Sequence, residues 1–157
     1  MAHFSPENFQ TCAIGMLLGR AAILKDRILD WHLESEGVTA AQFKVLIIVT
    51  QYQVDTPAEL CRYLGLDSGS MTRMLDRLEQ KGFLARQRSE ADRRQVQLVL
   101  TEQGQQLTDR LPEIGADAMN ELAGAITPEE LKTLEQILKK ILVAAGDSIT
   151  LLRVGDQ

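Results

Sequence analysis

Arg73 and Arg77 stand four residues apart in a segment that also carries Met71, Met74, Leu75 and Leu78, so both guanidinium groups project from one side of a helix and the apolar residues from the other. Arginine on a helix that fits the major groove pairs bidentately with guanine O6 and N7. Ser68, Ser70 and Thr72 open the same helix, where hydroxyls and exposed backbone amides suit phosphate or base-edge contacts. Further on, Glu90-Ala91-Asp92-Arg93-Arg94 reads as a charged tip. An arginine there can enter a narrow minor groove, and Asp92 is close enough to brace it. The plainer alternative is a solvated helix face, with Asp76 and Glu79 pairing the arginines, and a hairpin tip that is polar as tips usually are. Either way this is contact chemistry. There is no Gly-rich phosphate loop, His–Cys cluster or Ser-His-Asp set, and histidine is confined to His3 and His32, so neither an enzyme nor a cofactor or metal is expected.

These residues need elements to hold them. Thr56-Pro57-Ala58-Glu59 reads as a capping box that starts a helix through Leu60 and Leu64, and Gly65 ends it. Leu66-Asp67-Ser68 makes the next turn and cap, and Gly82 stops the helix carrying the arginines. Two helices joined by so short a turn form a helix-turn-helix. Phe83 to Arg88 and Val96 to Leu100 flank the polar tip with period-two alternation, which predicts a β-hairpin, and a hairpin in that position is a wing.

Helices surround this unit. Ser5-Pro6-Glu7 opens a helix whose apolar positions, from Phe9 to Trp31, keep helical spacing as far as Gly37, about thirty residues against the ~11–12 of an average helix. A helix that long in a small chain usually packs against another subunit. Thr39-x-x-Gln42 caps a short apolar helix through Phe43 and Ile47. After the wing, Thr101 caps a helix through Leu107, Leu111 and Ala118, with a kink expected at Pro112. Thr127-Pro128-Glu129-Glu130 caps the last long helix, and Ile149, Leu151 and Leu152 form an apolar tail. The fold class expected is mainly α with a small β-hairpin wing.

The chain has 157 residues, 17 basic and 22 acidic, a net charge of −5. That sum argues against DNA, but residues 68–94 hold seven basic and four acidic side chains, +3, and the remainder ten and eighteen, −8. Cys12 and Cys61 are too few for a disulfide framework or a four-ligand zinc site. No leader or bilayer-length apolar run is visible, so a cytoplasmic protein without a membrane partner is expected.

Leu66 to Phe83 (LDSGSMTRMLDRLEQKGF) and Asp92 to Gly104 (DRRQVQLVLTEQG) resemble the MarR family of bacterial transcriptional regulators, the D-R-R tip followed by L-T-x-x-G being the most specific feature. The resemblance covers essentially the whole chain. It implies a single MarR-type domain over 1–157, with 1–37 and 104–157 as N- and C-terminal dimerisation helices and 38–103 as the winged helix-turn-helix DNA-binding unit. It implies a homodimer on a roughly palindromic double-stranded operator, acting as a repressor released by a small aromatic or phenolic effector. Ser68, Ser70, Thr72, Arg73 and Arg77 match the family's recognition helix, and Arg86 and Arg88 the strand leading to the tip. Asp92 and Arg94 match the wing's aspartate and minor-groove arginine, with Arg93 as a phosphate contact.

Two sensing devices stay open. The family's hydroperoxide-sensing branch has a reactive cysteine in the first helix, which makes Cys12 a candidate, but counting back from Thr39 puts that cysteine near Gly15. No basic residue lies within a turn of Cys12 to lower its pKa. The other device is an apolar crevice for an aromatic ligand, lined by Ile14, Met16, Leu18, Phe43 and Ile47. A rival of another class is a winged helix used for protein–protein contact, which would expose apolar anchors where this chain has Ser68 to Arg77. Arg94→Ala is expected to weaken operator binding in a gel-shift titration while leaving the protein folded and its oligomeric state unchanged; an unaltered affinity would remove Arg94 from the interface.

Overall fold

The computed structural model describes residues 3–9, 11–89 and 95–155, with side chains described as far as residue 151. Its elements are α1 (Pro6–Phe9), α2 (Ile14–His32), a 3-10 turn (Glu34–Glu36), α3 (Ala40–Gln51), α4 (Pro57–Leu64), α5 (Ser68–Gln80), β1 (Leu84–Arg88), β2 (Val96–Leu100), α6 (Glu102–Ala123), α7 (Pro128–Ala144) and α8 (Ser148–Gly155). The mainly helical fold with one two-stranded antiparallel hairpin is the expected class. Among the described residues no helix is long and apolar enough to cross a membrane.

Most helix starts follow from single residues. Thr39 accepts from Gln42 N at 3.2 Å while the Gln42 side chain accepts from Thr39 N at 3.1 Å, a reciprocal capping box that Thr127 and Glu130 repeat on α7. Thr56 departs from that pattern. Its hydroxyl accepts weakly from Glu59 N, and the Glu59 carboxylate takes the hydroxyl proton at 2.8 Å instead of the Thr56 N–H. The charged acceptor captures the short O–H bond, so α4 has a cap but no box.

The first helix is not one piece. The Ser5 N–H donates to Asn8 Oδ1 at 2.7 Å and the Thr11 hydroxyl to the Asn8 carbonyl at 2.9 Å. The Asn8 side chain caps the start of the one-turn α1 and the Thr11 hydroxyl takes a carbonyl near its end, and the long helix begins only at Ile14. Helix α6 runs as a single element from Glu102 to Ala123 with Pro112 inside it, on its exposed side.

The core lies beneath the helix-turn-helix and where α2 crosses α6. Leu46, Leu60, Met71, Leu75 and Leu78 fill the first region, and Leu33, Leu107, Leu111 and Ala118 the second. Register pairs Leu84 with Leu100, Arg86 with Leu98 and Arg88 with Val96. Leu98 N also donates to the Asp55 carbonyl at 2.6 Å, and the Gln97 amide bonds the Asp55 carboxylate, so the hairpin is tied to the approach to α4.

The joint between wing, α5 and α6 is tighter still. Gly82 turns the chain at φ 76°, a conformation that glycine adopts without strain. The Thr101 hydroxyl donates to the Gly82 carbonyl, Thr101 N donates to Phe83 O at 3.1 Å, and Thr101 Oγ1 accepts from Gly104 N at 2.9 Å. A Cβ on Gly104 would overlap the Phe83 carbonyl oxygen and lie 2.9 Å from its carbonyl carbon, both backbone atoms. Gly104→Ala is therefore expected to destabilise the fold by about 3 kcal/mol, at the upper end of overpacking effects, because no side chain can swing aside. Urea unfolding measures it, and a loss below about 0.5 kcal/mol, the range of neutral surface changes, would show that the joint yields easily.

Candidate nucleic-acid interface

Helix α5 buries Met71, Leu75 and Leu78 and turns Ser68, Thr72, Arg73 and Arg77 to solvent. The sequence expected that division of faces. Asp67 caps the helix, accepting from Ser70 N at 2.9 Å. Its carboxylate also accepts the Ser70 hydroxyl proton at 2.7 Å, and Ser70 Oγ in turn accepts from Arg73 Nη2 at 3.0 Å. The Ser70 hydroxyl and then the Ser70 amide hold the Asp67 carboxyl below its ordinary pKa. The Thr72 hydroxyl donates to the Ser68 carbonyl at 2.8 Å. Between α5 and the start of α3 lies a cavity of about 150 Å³, walled by Arg73, Met74 and Arg77 on one side and Thr39, Ala41 and Gln42 on the other.

Arg86, expected among the DNA contacts, makes bonds within the protein. Its side chain is 27% exposed and turns toward α5: Nη1 donates to Asp76 at 2.7 Å and to Glu79 at 2.6 Å, and Nη2 to the Thr72 carbonyl at 3.3 Å. The Arg86 amide adds a bond to Glu79 Oε1 at 2.9 Å. Asp76 and Glu79, which the plainer sequence reading gave to Arg73 and Arg77, thus hold the wing strand onto the recognition helix. Arg88, at the outer end of β1, is exposed. Asp92, Arg93 and Arg94 lie outside the described residues.

The apolar crevice expected from Ile14, Met16, Leu18, Phe43 and Ile47 is not assembled. Ile14, Met16 and Leu18 are 50%, 63% and 43% exposed on the first turns of α2, whereas Phe43 and Ile47 pack against the core. Helix α3 meets α2 much nearer its other end, through Lys44 with Asp26 at 3.0 Å and Ala40 N with Asp30 at 2.5 Å. Those contacts begin twelve residues after Ile14, about 18 Å along a helix. Cys12 is half-buried between α1 and α2, and Cys61 is half-buried against the core.

One outward cation was missed. Arg62 sits exposed on α4, its guanidinium 5.2 Å from the Tyr63 ring centroid and 3.9 Å from Glu59. The signal was available, since the first helix of a helix-turn-helix crosses the phosphate backbone and Arg62 lies on the exposed side of that helix. Lys81, counted in the basic cluster, is exposed, with its ammonium donating to the Gly37 carbonyl and to Gln42 Oε1.

A family model described as the MarR family matches residues 38–96. The multiple antibiotic resistance protein MarR of Escherichia coli is 39% identical over 130 residues, 82% of this chain and 90% of that one. The organic hydroperoxide resistance transcriptional regulator of Bacillus subtilis is 33% identical over 110 residues, 70% of this chain and 74% of the relative. Among solved structures, a mutant MarR from E. coli complexed with operator DNA superposes with a TM-score of 0.76 at 37% identity, covering 88% of this chain and 99% of that one.

Arg86→Ala removes the cation between two carboxylates and leaves β1 tied to α5 there only by the amide of residue 86. The expected loss is about 1–3 kcal/mol, typical of breaking a charge-assisted, partly buried network. Arg77→Ala, at an exposed position on the rim of the cavity, should stay within about 0.5 kcal/mol of the wild type. Urea midpoints compare the two, and equal shifts would deny Arg86 its bracing role.

Proposed function

This chain belongs to the MarR family of transcriptional regulators, and we propose that it works as a homodimer reading a roughly palindromic operator, repressing transcription until a small aromatic acid releases it. The observation that carries the proposal is the division of α5 into a buried apolar face and an outward face presenting Arg73 and Arg77. The operator complex of the E. coli relative supports the DNA partner.

The second copy is argued from apolar surface. Outside the winged unit, Ile14, Leu17 and Ile23 of α2 and Leu134, Ile137 and Ile141 of α7 are exposed at helical spacing. So much exposed apolar surface on flanking helices fits a helical dimer layer, formed by 1–37 with 104–157, and leaves 38–103 to meet the DNA. Two recognition helices must then reach successive major grooves about 34–36 Å apart, a spacing that the layer sets. Arg73 and Arg77 read base edges, Ser68 lies at the helix start beside a phosphate, Arg62 and Arg88 meet the backbone on either side, and Arg94 with Asp92 serves the minor groove.

The effector is placed in the cavity between α3 and α5. Arg73 and Arg77 supply cationic donors for a carboxylate and Met74 an apolar wall for a ring. A ligand held there occupies the two arginines that face the groove, so it binds the DNA-free form better, which is the differential affinity that release requires. The test is a gel shift on a duplex selected from random DNA, titrated separately with salicylate and with cumene hydroperoxide. Release by salicylate, abolished by Arg77→Ala in whatever binding remains, is expected. Release by the oxidant alone, lost in Cys12→Ser, would move sensing to Cys12, and failure to select any two-fold related sequence would remove the palindromic reader.

A further inference from the structure

We propose that Asp67 and Ser70 form a hydrogen-bond relay that aims the Arg73 guanidinium, so that Ser70 determines base preference at the pair Arg73 reads without contacting DNA itself. The inference rests on the DNA-reading function above and goes beyond it by giving a distinct role to a residue that the sequence assigned to direct contact.

The chemistry turns on one proton. A serine hydroxyl has a single O–H to donate, and an ionised carboxylate can only accept. Here the Ser70 proton goes to Asp67 Oδ2 at 2.7 Å, which leaves only the lone pairs of Oγ for other partners. Arg73 Nη2 takes one of them at 3.0 Å. A hydroxyl so committed cannot donate to a phosphate or to a base acceptor. Its remaining use is to receive and orient a donor, and the donor in place is a guanidinium, which has five N–H groups in a fixed plane. One bond to Ser70 leaves a parallel pair free for guanine O6 and N7.

The backbone beneath is shaped for the same arrangement. A Cβ on Gly69 would lie 3.1 Å from Asp67 Oδ1 and 3.5 Å from Arg73 Nη1, so the guanidinium rests over a residue that has no side chain. Arg73 is thereby folded back over the first turn of α5, the part of a recognition helix that meets base edges. Arg77, one turn later, has no such hydroxyl beneath it. A long arginine side chain loses rotamer freedom when it docks, and one already held loses less.

The experiment is binding-site selection from a random duplex library with the wild type, Ser70→Ala, Ser70→Thr and Arg73→Ala. Ser70→Ala keeps the backbone bond from residue 70 to Asp67, so α5 stays capped, and Ser70→Thr keeps a hydroxyl. Arg73→Ala should flatten preference at one base pair per half-site. Ser70→Ala should weaken preference at that same pair roughly tenfold, within the range of one bidentate contact, and leave the other positions unchanged. Ser70→Thr should restore it. A wild-type consensus flattened by Arg73→Ala but untouched by Ser70→Ala overturns the relay and spares the DNA reading. Loss spread evenly over all positions in Ser70→Ala, unrescued by threonine, overturns it in favour of a merely structural serine. A wild type that selects no consensus overturns the relay together with the DNA reading.

Discussion

The Phe83 carbonyl rests against the bare Cα of Gly104, and this backbone-to-backbone contact fixes the geometry of everything around it. The end of the recognition helix, the returning strand of the wing and the first turn of α6 all meet there. Thr101 closes the joint by bonding the Gly82 carbonyl, the Phe83 carbonyl and the Gly104 amide at once. No flexible side chain cushions it, so a displacement of α6 carries α5 and the wing along. In the proposed dimer, the spacing between two recognition helices is then a property of the helical layer and not of each winged unit.

A second set of contacts crosses the same boundary on the other side, and it is polar. Lys81 bonds the Gly37 carbonyl and Gln42, Arg110 pairs with Glu36 at 2.5 Å, Asp30 takes the Ala40 amide, and Lys44 pairs with Asp26. Exposed ion pairs of this kind contribute about 0–1 kcal/mol each, so their number is a weak argument for stability. Their value is geometric. Each fixes an angle between α2, α5 or α6 and the segment around the start of α3, and together they leave the apolar core free to supply the cohesion.

Much of this was readable from residue types. Caps at Thr39, Asp67, Thr101 and Thr127 sit where the sequence put them, and the L-T-x-x-G feature of the family has its physical reason in the Thr101–Gly104 joint. The pairing of Arg86 with α5 was not read although its signal was present. Leu84 and Leu98 are buried, Arg86 shares a strand face with Leu84 and lies opposite Leu98, and so it had to face the protein. The ligand crevice failed for another reason: helical periodicity gives the face of a residue but not its height along the axis, and Ile14 to Leu18 lie far above the contact of α2 with α3. The break before Ile14 was hidden because apolar spacing persists across Asn8 and Thr11, whose side chains bond the two ends of the short α1.

Charge is sharpened by the same facts. The net −5 hid a basic cluster of +3, but Lys81 and Arg86 of that cluster are engaged by acceptors within the protein, and Arg62 joins from outside it. Few cations therefore face a duplex, and the sequence-independent attraction that scales with neutralised phosphates is small. A protein with little general affinity cannot rely on charge to hold it near a site, so discrimination must come from how well each arginine is aimed. The structure supplies aim by internal acids: Asp76 and Glu79 set the wing strand through Arg86, and Asp67 sets Arg73 through Ser70. Carboxylates that looked like opponents of DNA binding are the groups that position the cations.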